Sequence, residues 1–132
     1  MKILDTSFLI DYFNGSPDTK RFYEDNGGDS QHWIIPAPAY AEILVGEGNY
    51  PDGDLEAAEE YLSWGEIYST DAETAIIAGE IADEIGSEGP FLGGIDGLIA
   101  AVGRDLDAPV VSRDTDLTHP ETKKVIEIEE YS

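Results

Sequence analysis

Four acidic side chains stand at positions where an acid is unusual for a protein surface. Asp5 directly follows the apolar run MKIL, and Asp114 follows the apolar run APVVS by two residues. Glu42 lies within AYAEILV and Asp96 within GGIDGLIAAVG, so both have mostly apolar neighbours in the sequence. A carboxylate in apolar surroundings is costly unless it is paired or bound to a metal. These residues therefore favour a hard divalent cation, Mg²⁺ or Mn²⁺, which prefers carboxylate and water oxygens.

Few basic or imidazole groups are available to pair with these acids instead. Only Arg104 and Arg113 lie near them in the sequence. His32 and His119 are isolated and lack the spacing of metal ligands, so we expect surface or capping roles for them. For any single acid, an ordinary helix N-cap or a partly exposed helix position remains the alternative.

Apolar runs alternate with helical patterns along the whole chain. Strands are predicted at 1–4, 32–35, 67–69, 108–112 and 122–131, the last as an alternating edge strand. Helices are predicted at 6–13, 16–26, 39–48, 55–64, 71–85 and 95–107. This alternation predicts an α/β fold with a parallel sheet between layers of helices. Since such sheets bind ligands beyond the carboxyl ends of their strands, Asp5 and Asp114 are expected at that edge.

The composition limits the class of protein further. The 132 residues suit one domain, 1–132, and carry 29 acids against 7 bases, for a net charge of −22. This charge argues against binding through a broad basic face. The acids are spread among apolar residues, which is not typical of a disordered tail. We interpret the excess as adaptation to a cytoplasm near molar salt, where charge repulsion is screened; an acidic surface that binds a basic partner is the alternative.

Cellular location can also be predicted from the sequence. The chain has no cysteine, which excludes disulfides, thiolate catalysis and cysteine-ligated metal centres. No apolar run approaches the roughly 18–20 residues that span a bilayer, and an acid at position 5 does not suit a signal peptide. We therefore expect a cytoplasmic protein that does not enter a membrane.

Four motifs, in order and spanning nearly the whole chain, are similar to those of PIN-domain ribonucleases. They are DTSFLID at 5–11, YAEILVG at 40–46, Asp96 with Ile99-Ala100-Ala101, and VVSRDTDL at 110–117. Each motif alone is weak, but the ordered set is fairly specific. The sequence most closely resembles the VapC toxins of type II toxin–antitoxin pairs.

The resemblance implies a three-layer α/β/α sandwich and a set of site residues. The acidic pocket would consist of Asp5, Glu42, Asp96 and Asp114, with Asp5, Asp96 and Asp114 holding Mg²⁺ or Mn²⁺. Asp116 would be an alternate or auxiliary fourth acid. Ser7 and Ser112 fall where the family has hydroxyls that hold the pocket, and Asp11 is expected farther from the metal or at the surface.

The resemblance also implies an activity and its partners. The protein would be an endoribonuclease in which a metal-activated water attacks RNA, leaving a 3′-hydroxyl and a 5′-phosphate. A homodimer and a cognate antitoxin are expected, with an antitoxin side chain, such as Arg, entering the acidic pocket. Five aromatic residues that exceed the apparent needs of the core suggest these interfaces: Tyr12, Phe13, Phe22, Tyr23 and Trp64. Fewer lysines and arginines are present than such nucleases usually carry.

Other functions are less consistent with the sequence. A haloacid-dehalogenase phosphatase needs a second acid two residues after the first, where this chain has Ser7. A response-regulator receiver needs an acid pair near the end of the first strand, and none precedes Asp5. No phosphate-binding glycine motif of the P-loop or dinucleotide type occurs. Two alternatives remain: an inactive PIN-like binding scaffold, and an RNA-processing nuclease that has no antitoxin.

Overall fold

A five-stranded parallel sheet forms the centre of the protein. The computed structural model describes residues 1–131. The sheet has the order β3-β2-β1-β4-β5, and every neighbouring pair is parallel. Its strands are β1 (Lys2–Leu4), β2 (Trp33–Pro36), β3 (Glu66–Tyr68), β4 (Val110–Ser112) and β5 (Ile128–Glu130). Because the middle strands are covered on both faces, they are runs of buried apolar residues rather than alternating patterns.

Helices connect the strands and cover the sheet. They are α1 (Thr6–Phe13), α2 (Pro17–Asp25), α3 (Ala37–Asn49), α4 (Leu55–Tyr61), α5 (Ala72–Ile85), α6 (Gly94–Leu106) and α7 (Pro120–Lys123), with a short 3₁₀ turn at Gly28–Ser30. The predicted α/β/α sandwich is confirmed. Among residues 1–131, no helix is long and apolar enough to cross a membrane.

Helix α6 joins two apolar clusters. Its Ile99 and Val102 belong to the main core, together with β1, β2, β4 and buried residues of α1 and α3. Its Ala100 and Ala101 belong to a second cluster with Ile81 of α5 and others. Because α6 is held between the sheet and α5, the position of Asp96 in its first turn is fixed by packing.

The end of the chain differs from the predicted strand at 122–131. Residues Pro120–Lys123 form a helical turn, which begins at a proline and is capped by the His119 side chain. Only Ile128–Glu130 pairs with β4. The capping role expected for His119 is therefore confirmed, and the strand is shorter because the proline and its cap start a helix before it.

Most of the five aromatic residues offered as interface surface belong to the core. Tyr12, Phe13, Phe22, Tyr23 and Trp64 are partly buried and pack against the main cluster. Four of the rings contact one another or Trp33, as in the stacked pair of Tyr23 and Trp33 at 5.3 Å, and Phe13 contacts Tyr61. These contacts favour a core role for most of the five rings, whereas Phe13 also borders an open cleft beside α1 and α3.

Candidate active site

The topology of the sheet brings the ends of β1 and β4 together. Leu4 lies beside Val111 in the parallel register. From β1 the chain adds β2 and β3 on one side, and later β4 and β5 on the other. Such a switch point opens a crevice beyond the carboxyl ends of the strands, where α/β proteins bind ligands. Asp5 and Asp114 both follow strands at this crevice.

Asp5 is a buried carboxylate held by several hydrogen bonds. Only 1% of the residue is exposed. The Ser7 hydroxyl lies 2.8 Å from both carboxylate oxygens, the Phe8 N–H donates to Oδ1 at 2.9 Å, and the Ser112 hydroxyl donates to Oδ2. Burial raises the pKa of Asp5 to about 6, although these hydrogen bonds act in the opposite direction. Asp5 is also the N-cap of α1, so the capping alternative applies to it as well.

Asp96 is half-buried in the first turn of α6. Its pKa is raised to about 6, mainly by burial and then by repulsion from other acids. Those acids, in order of decreasing effect, are Asp114, Asp5, Glu42 and Asp116. All the predicted acids therefore share one electrostatic environment around Asp96.

Asp114 is tied to the turn that follows β4. Its N–H donates to the Ser112 hydroxyl at 2.9 Å. Its Oδ2 accepts hydrogen bonds from the N–H groups of Asp116 and Leu117, each at 3.0 Å. The Asp114 carboxylate therefore caps this turn, whereas Asp116 is exposed.

Glu42 reaches the same crevice from α3, but it is exposed rather than buried. The Thr6 hydroxyl donates to Glu42 Oε1 at 3.4 Å. Val45, in the next turn of α3, is 63% exposed. The apolar neighbours of Glu42 in the sequence thus predicted a burial that the fold does not provide.

The two nearby arginines are paired outside the acidic pocket. Arg104 binds Glu84, with Nη2 to Oε1 at 2.9 Å, and also the Val125 carbonyl. Arg113 binds Asp11. Within residues 1–131, no ion pair reaches Asp5, Glu42, Asp96 or Asp114. The repulsion among these carboxylates is not relieved by a basic side chain of the described chain.

The pocket fits a divalent cation in the chemistry of its donors. Carboxylate oxygens are the ligands that Mg²⁺ and Mn²⁺ prefer, and a cation would relieve the repulsion that raises the pKa of Asp96. In the described part of the chain, no three His, Asp or Glu side chains are grouped as metal ligands. Binding would therefore require these carboxylates to move closer together.

Three residues near the pocket have contacts that the sequence alone did not indicate. Thr6 donates to Glu42, as described above. Tyr131 is 2% exposed, and its hydroxyl donates to Asp11 Oδ2 at 2.7 Å. Asp11 lies four residues after Ser7 on α1, a spacing that places both residues on one face of the helix. The sequence contains no comparable indication that Tyr131 contacts Asp11.

A family model for the PIN domain matches residues 2–123. The chain belongs to the PIN domain family. This PIN domain has no match among curated proteins. Its likeness to solved structures extends over almost the whole chain, at low sequence identity.

Three of those structures illustrate the shared fold. VapBC2 from Rickettsia felis, bound to a DNA fragment from its promoter, has a TM-score of 0.78 at 20% identity, covering 99% of this chain and 98% of that chain. DNA-bound VapBC from Salmonella typhimurium has a TM-score of 0.76 at 22% identity, covering 98% of this chain and 96% of that chain. VapC20 from Mycobacterium tuberculosis, a toxin that cleaves the sarcin–ricin loop, has a TM-score of 0.65 at 14% identity, covering 96% of each chain.

Proposed function

We propose that this PIN domain is a metal-dependent endoribonuclease and the toxin of a type II toxin–antitoxin pair. The observation that carries the proposal is that Asp5 and Asp96 stand in one acidic environment, where the charge of Asp5 acts on Asp96. Asp5 is buried and Asp96 half-buried, both have a pKa near 6, and within residues 1–131 neither has a basic partner at the β1–β4 switch point. The likeness to VapC20, whose substrate is an RNA loop, supports the same assignment.

The proposed roles are those that the family resemblance implies for these acids. Asp5, Asp96 and Asp114 hold Mg²⁺ or Mn²⁺, Glu42 completes the catalytic acids, and Asp116 is the auxiliary acid. A bound divalent ion would supply an activated water and stabilise charge on the oxygens of the phosphodiester. Ser7 and Ser112 orient the Asp5 carboxylate through their hydrogen bonds. The products are an RNA 3′-hydroxyl and a 5′-phosphate.

The protonation of Asp5 and Asp96 should determine how RNA cleavage depends on pH. A pKa near 6 leaves Asp5 and Asp96 partly protonated in mildly acidic solution when no cation is bound. Protons and the divalent ion therefore compete for the same oxygens. We expect cleavage to increase with pH between about pH 5 and 7, as these carboxylates lose their protons.

An end-labelled RNA of mixed sequence tests the proposal directly. The purified protein should cleave it with Mn²⁺ or Mg²⁺ in concentrated KCl, should stop when a chelator is added, and should leave 5′-phosphate ends. Cleavage that continues unchanged with the chelator would exclude the metal mechanism. A folded protein that binds RNA and never cuts it would instead support the inactive scaffold.

We further propose an antitoxin as the protein partner. Helices α1 and α3 border an open cleft with apolar walls, lined by Ile10, Phe13, Asn14, Glu42, Ile43, Gly46 and Glu47. Because Glu42 is among its lining residues, a segment bound there would bring a basic side chain, such as Arg, to the acidic pocket and inhibit catalysis. Relatives solved as toxin–antitoxin complexes support this partner. We expect the protein to form both a homodimer and a complex with its antitoxin. We expect both assemblies in the cytoplasm, where RNA is available.

A further inference from the structure

Arg113 is a basic side chain at the edge of the acidic pocket with a defined orientation. Its Nε lies 2.8 Å from Asp11 Oδ2, and its Nη2 donates to Asp11 Oδ1 at 3.0 Å. The Tyr131 hydroxyl donates to the same Oδ2 at 2.7 Å, and the guanidinium lies 6.0 Å from the centre of the Tyr131 ring. Contacts from α1 and from the end of the chain thus fix the direction of the guanidinium.

The backbone of Arg113 is itself part of the pocket wall. It stands between Ser112, which donates to Asp5, and Asp114. The Arg113 N–H donates to the Ser7 hydroxyl at 3.4 Å, and that hydroxyl contacts Asp5. The guanidinium is therefore joined to the site by residues that touch the buried carboxylate.

Five of the six other lysines and arginines are paired with acids outside the pocket. Five ion pairs join bases to acids outside the pocket: Lys2–Glu129, Arg21–Asp18, Arg104–Glu84, Lys123–Glu130 and Lys124–Glu121. Lys20 lies on α2. In a chain of net charge −22, Arg113 is thus the base best placed to meet a polyanion at this site.

The guanidinium retains donors for a ligand after pairing with Asp11. Asp11 occupies one edge, while Arg113 carries further N–H groups and has no acceptor of its own. The Arg113 side chain is 56% exposed, whereas that of Asp11 is 14% exposed. A planar fork with one edge fixed and the rest open to solvent suits the oxygens of a phosphate group.

We propose that Arg113 binds a phosphate of the RNA backbone beside the bond to be cut. Asp11 and Tyr131 are positioning residues, which fix the guanidinium in the direction of the substrate. This inference rests on the proposed ribonuclease function and adds how a strongly acidic protein holds its substrate. Since the Asp11–Arg113 pair has little net charge, directed hydrogen bonds rather than overall attraction would provide the contact.

A charge-neutral double variant tests this proposal. Asp11→Asn with Arg113→Gln removes one acid and one base, so the net charge of the protein does not change. The matched control is Asp18→Asn with Arg21→Gln, which removes an exposed ion pair on α2. RNA cleavage in concentrated KCl with Mn²⁺ gives kcat and KM for each, and thermal melting checks that each protein folds.

We expect the Asp11/Arg113 double variant to raise KM about tenfold or more, as for loss of a hydrogen bond to a charged group. Its log KM should depend less on log salt than that of the control, by a slope of about 0.7 for one phosphate contact. Arg113→Lys, which keeps the charge, should restore part of the affinity. The Asp18/Arg21 control should leave KM unchanged.

Two results would overturn the inference. The first is an unchanged KM in the Asp11/Arg113 variant or, if that protein does not fold, in Arg113→Gln alone. The second is a decrease in kcat with no change in KM, which would indicate that Arg113 stabilises the turn after β4 without binding the substrate. A wild-type protein that neither binds nor cuts RNA would instead overturn the proposed function, and this inference with it.

Discussion

The Ser112 hydroxyl donates a hydrogen bond to the buried Asp5 carboxylate, although 107 positions separate the two residues in the sequence. The parallel pairing of Leu4 with Val111 makes this contact possible. The same hydroxyl accepts a hydrogen bond from the N–H of Asp114. One side chain therefore links the acid that follows β1 to the acid that follows β4.

Removing this hydroxyl should impair the site without unfolding the protein. Ser112→Ala takes away the hydrogen bond that most favours the charged form of Asp5, so its pKa should rise above about 6. The affinity for Mn²⁺ and the rate of RNA cleavage should fall about 10- to 100-fold, as for other residues that orient metal ligands. Titration of activity with Mn²⁺ measures both effects.

Ser87→Ala is the matched control for Ser112→Ala, because Ser87 is exposed in the loop after α5. It should leave metal affinity and cleavage unchanged. Ser112→Thr keeps a hydroxyl and should restore part of the activity. If Ser112→Ala binds Mn²⁺ as tightly as the wild type, the hydroxyl does not orient Asp5.

The pH dependence of stability should carry the signature of Asp96. Its pKa is about 6 in the folded protein against an ordinary value of 3.8, so the folded state binds more protons between these values. In the presence of a chelator, this group should therefore lower stability as the pH rises from about 4 to 6, and by its full amount above that. Asp96→Asn removes this penalty and should melt higher than the wild type at about pH 7.5, but not at about pH 4.

Asp83→Asn is the control for that comparison, since Asp83 is exposed on α5. Both variants lower the net negative charge by one, so general repulsion changes equally. A higher melting temperature of both variants at about pH 7.5 would attribute the effect to overall charge. Only a gain specific to Asp96→Asn agrees with the environment described here.

High salt should favour both folding and cleavage. At a net charge of −22 the protein repels itself and RNA in dilute buffer, and at about 1 M salt the Debye length falls to about 3 Å. Melting temperature and cleavage rate should therefore increase between about 0.1 and 2 M KCl. Cleavage that is highest at low salt and falls steadily would contradict the adaptation to salt that the composition suggests.

The cleft beside α1 and α3 should be needed for antitoxin binding. Ile10 lines this cleft and is 45% exposed, whereas Ile67 on the edge strand β3 is 41% exposed. Ile10→Glu should abolish co-elution with the proposed antitoxin, and Ile67→Glu should not. RNA cleavage by Ile10→Glu should then no longer be inhibited by the antitoxin. Equal retention of the antitoxin by both variants would place its binding surface elsewhere.

Much of this site could be predicted from the sequence because it depends on strand ends. Apolar runs followed by Asp5 and Asp114 indicate strands that end in acids, and parallel topology brings such ends to one edge. The α/β/α fold followed from the alternation of elements. The hydroxyls of Ser7 and Ser112 were predicted from the family resemblance, and the structure places both in contact with Asp5.

Other features depend on tertiary packing, which local patterns do not contain. The sequence around Glu42 is apolar, yet Glu42 itself is exposed on α3. The contacts of Phe22 and Tyr23 with Trp33 form only when α2 packs onto β2, so the local sequence of α2 does not reveal them. The contact between Tyr131 and Asp11 joins residues 120 positions apart and had no local signal.

The most direct test of the account compares RNA cleavage by Asp96→Asn and Asp83→Asn with Mn²⁺ in concentrated KCl. Both substitutions remove one carboxylate and preserve side-chain size, but only Asp96 lies in the acidic pocket. We expect Asp96→Asn to lower the cleavage rate at least about a hundredfold while the protein remains folded, because it loses a proposed metal ligand. Asp83→Asn should cleave at the wild-type rate. A folded Asp96→Asn protein that cuts RNA as fast as the wild type would contradict the proposed site.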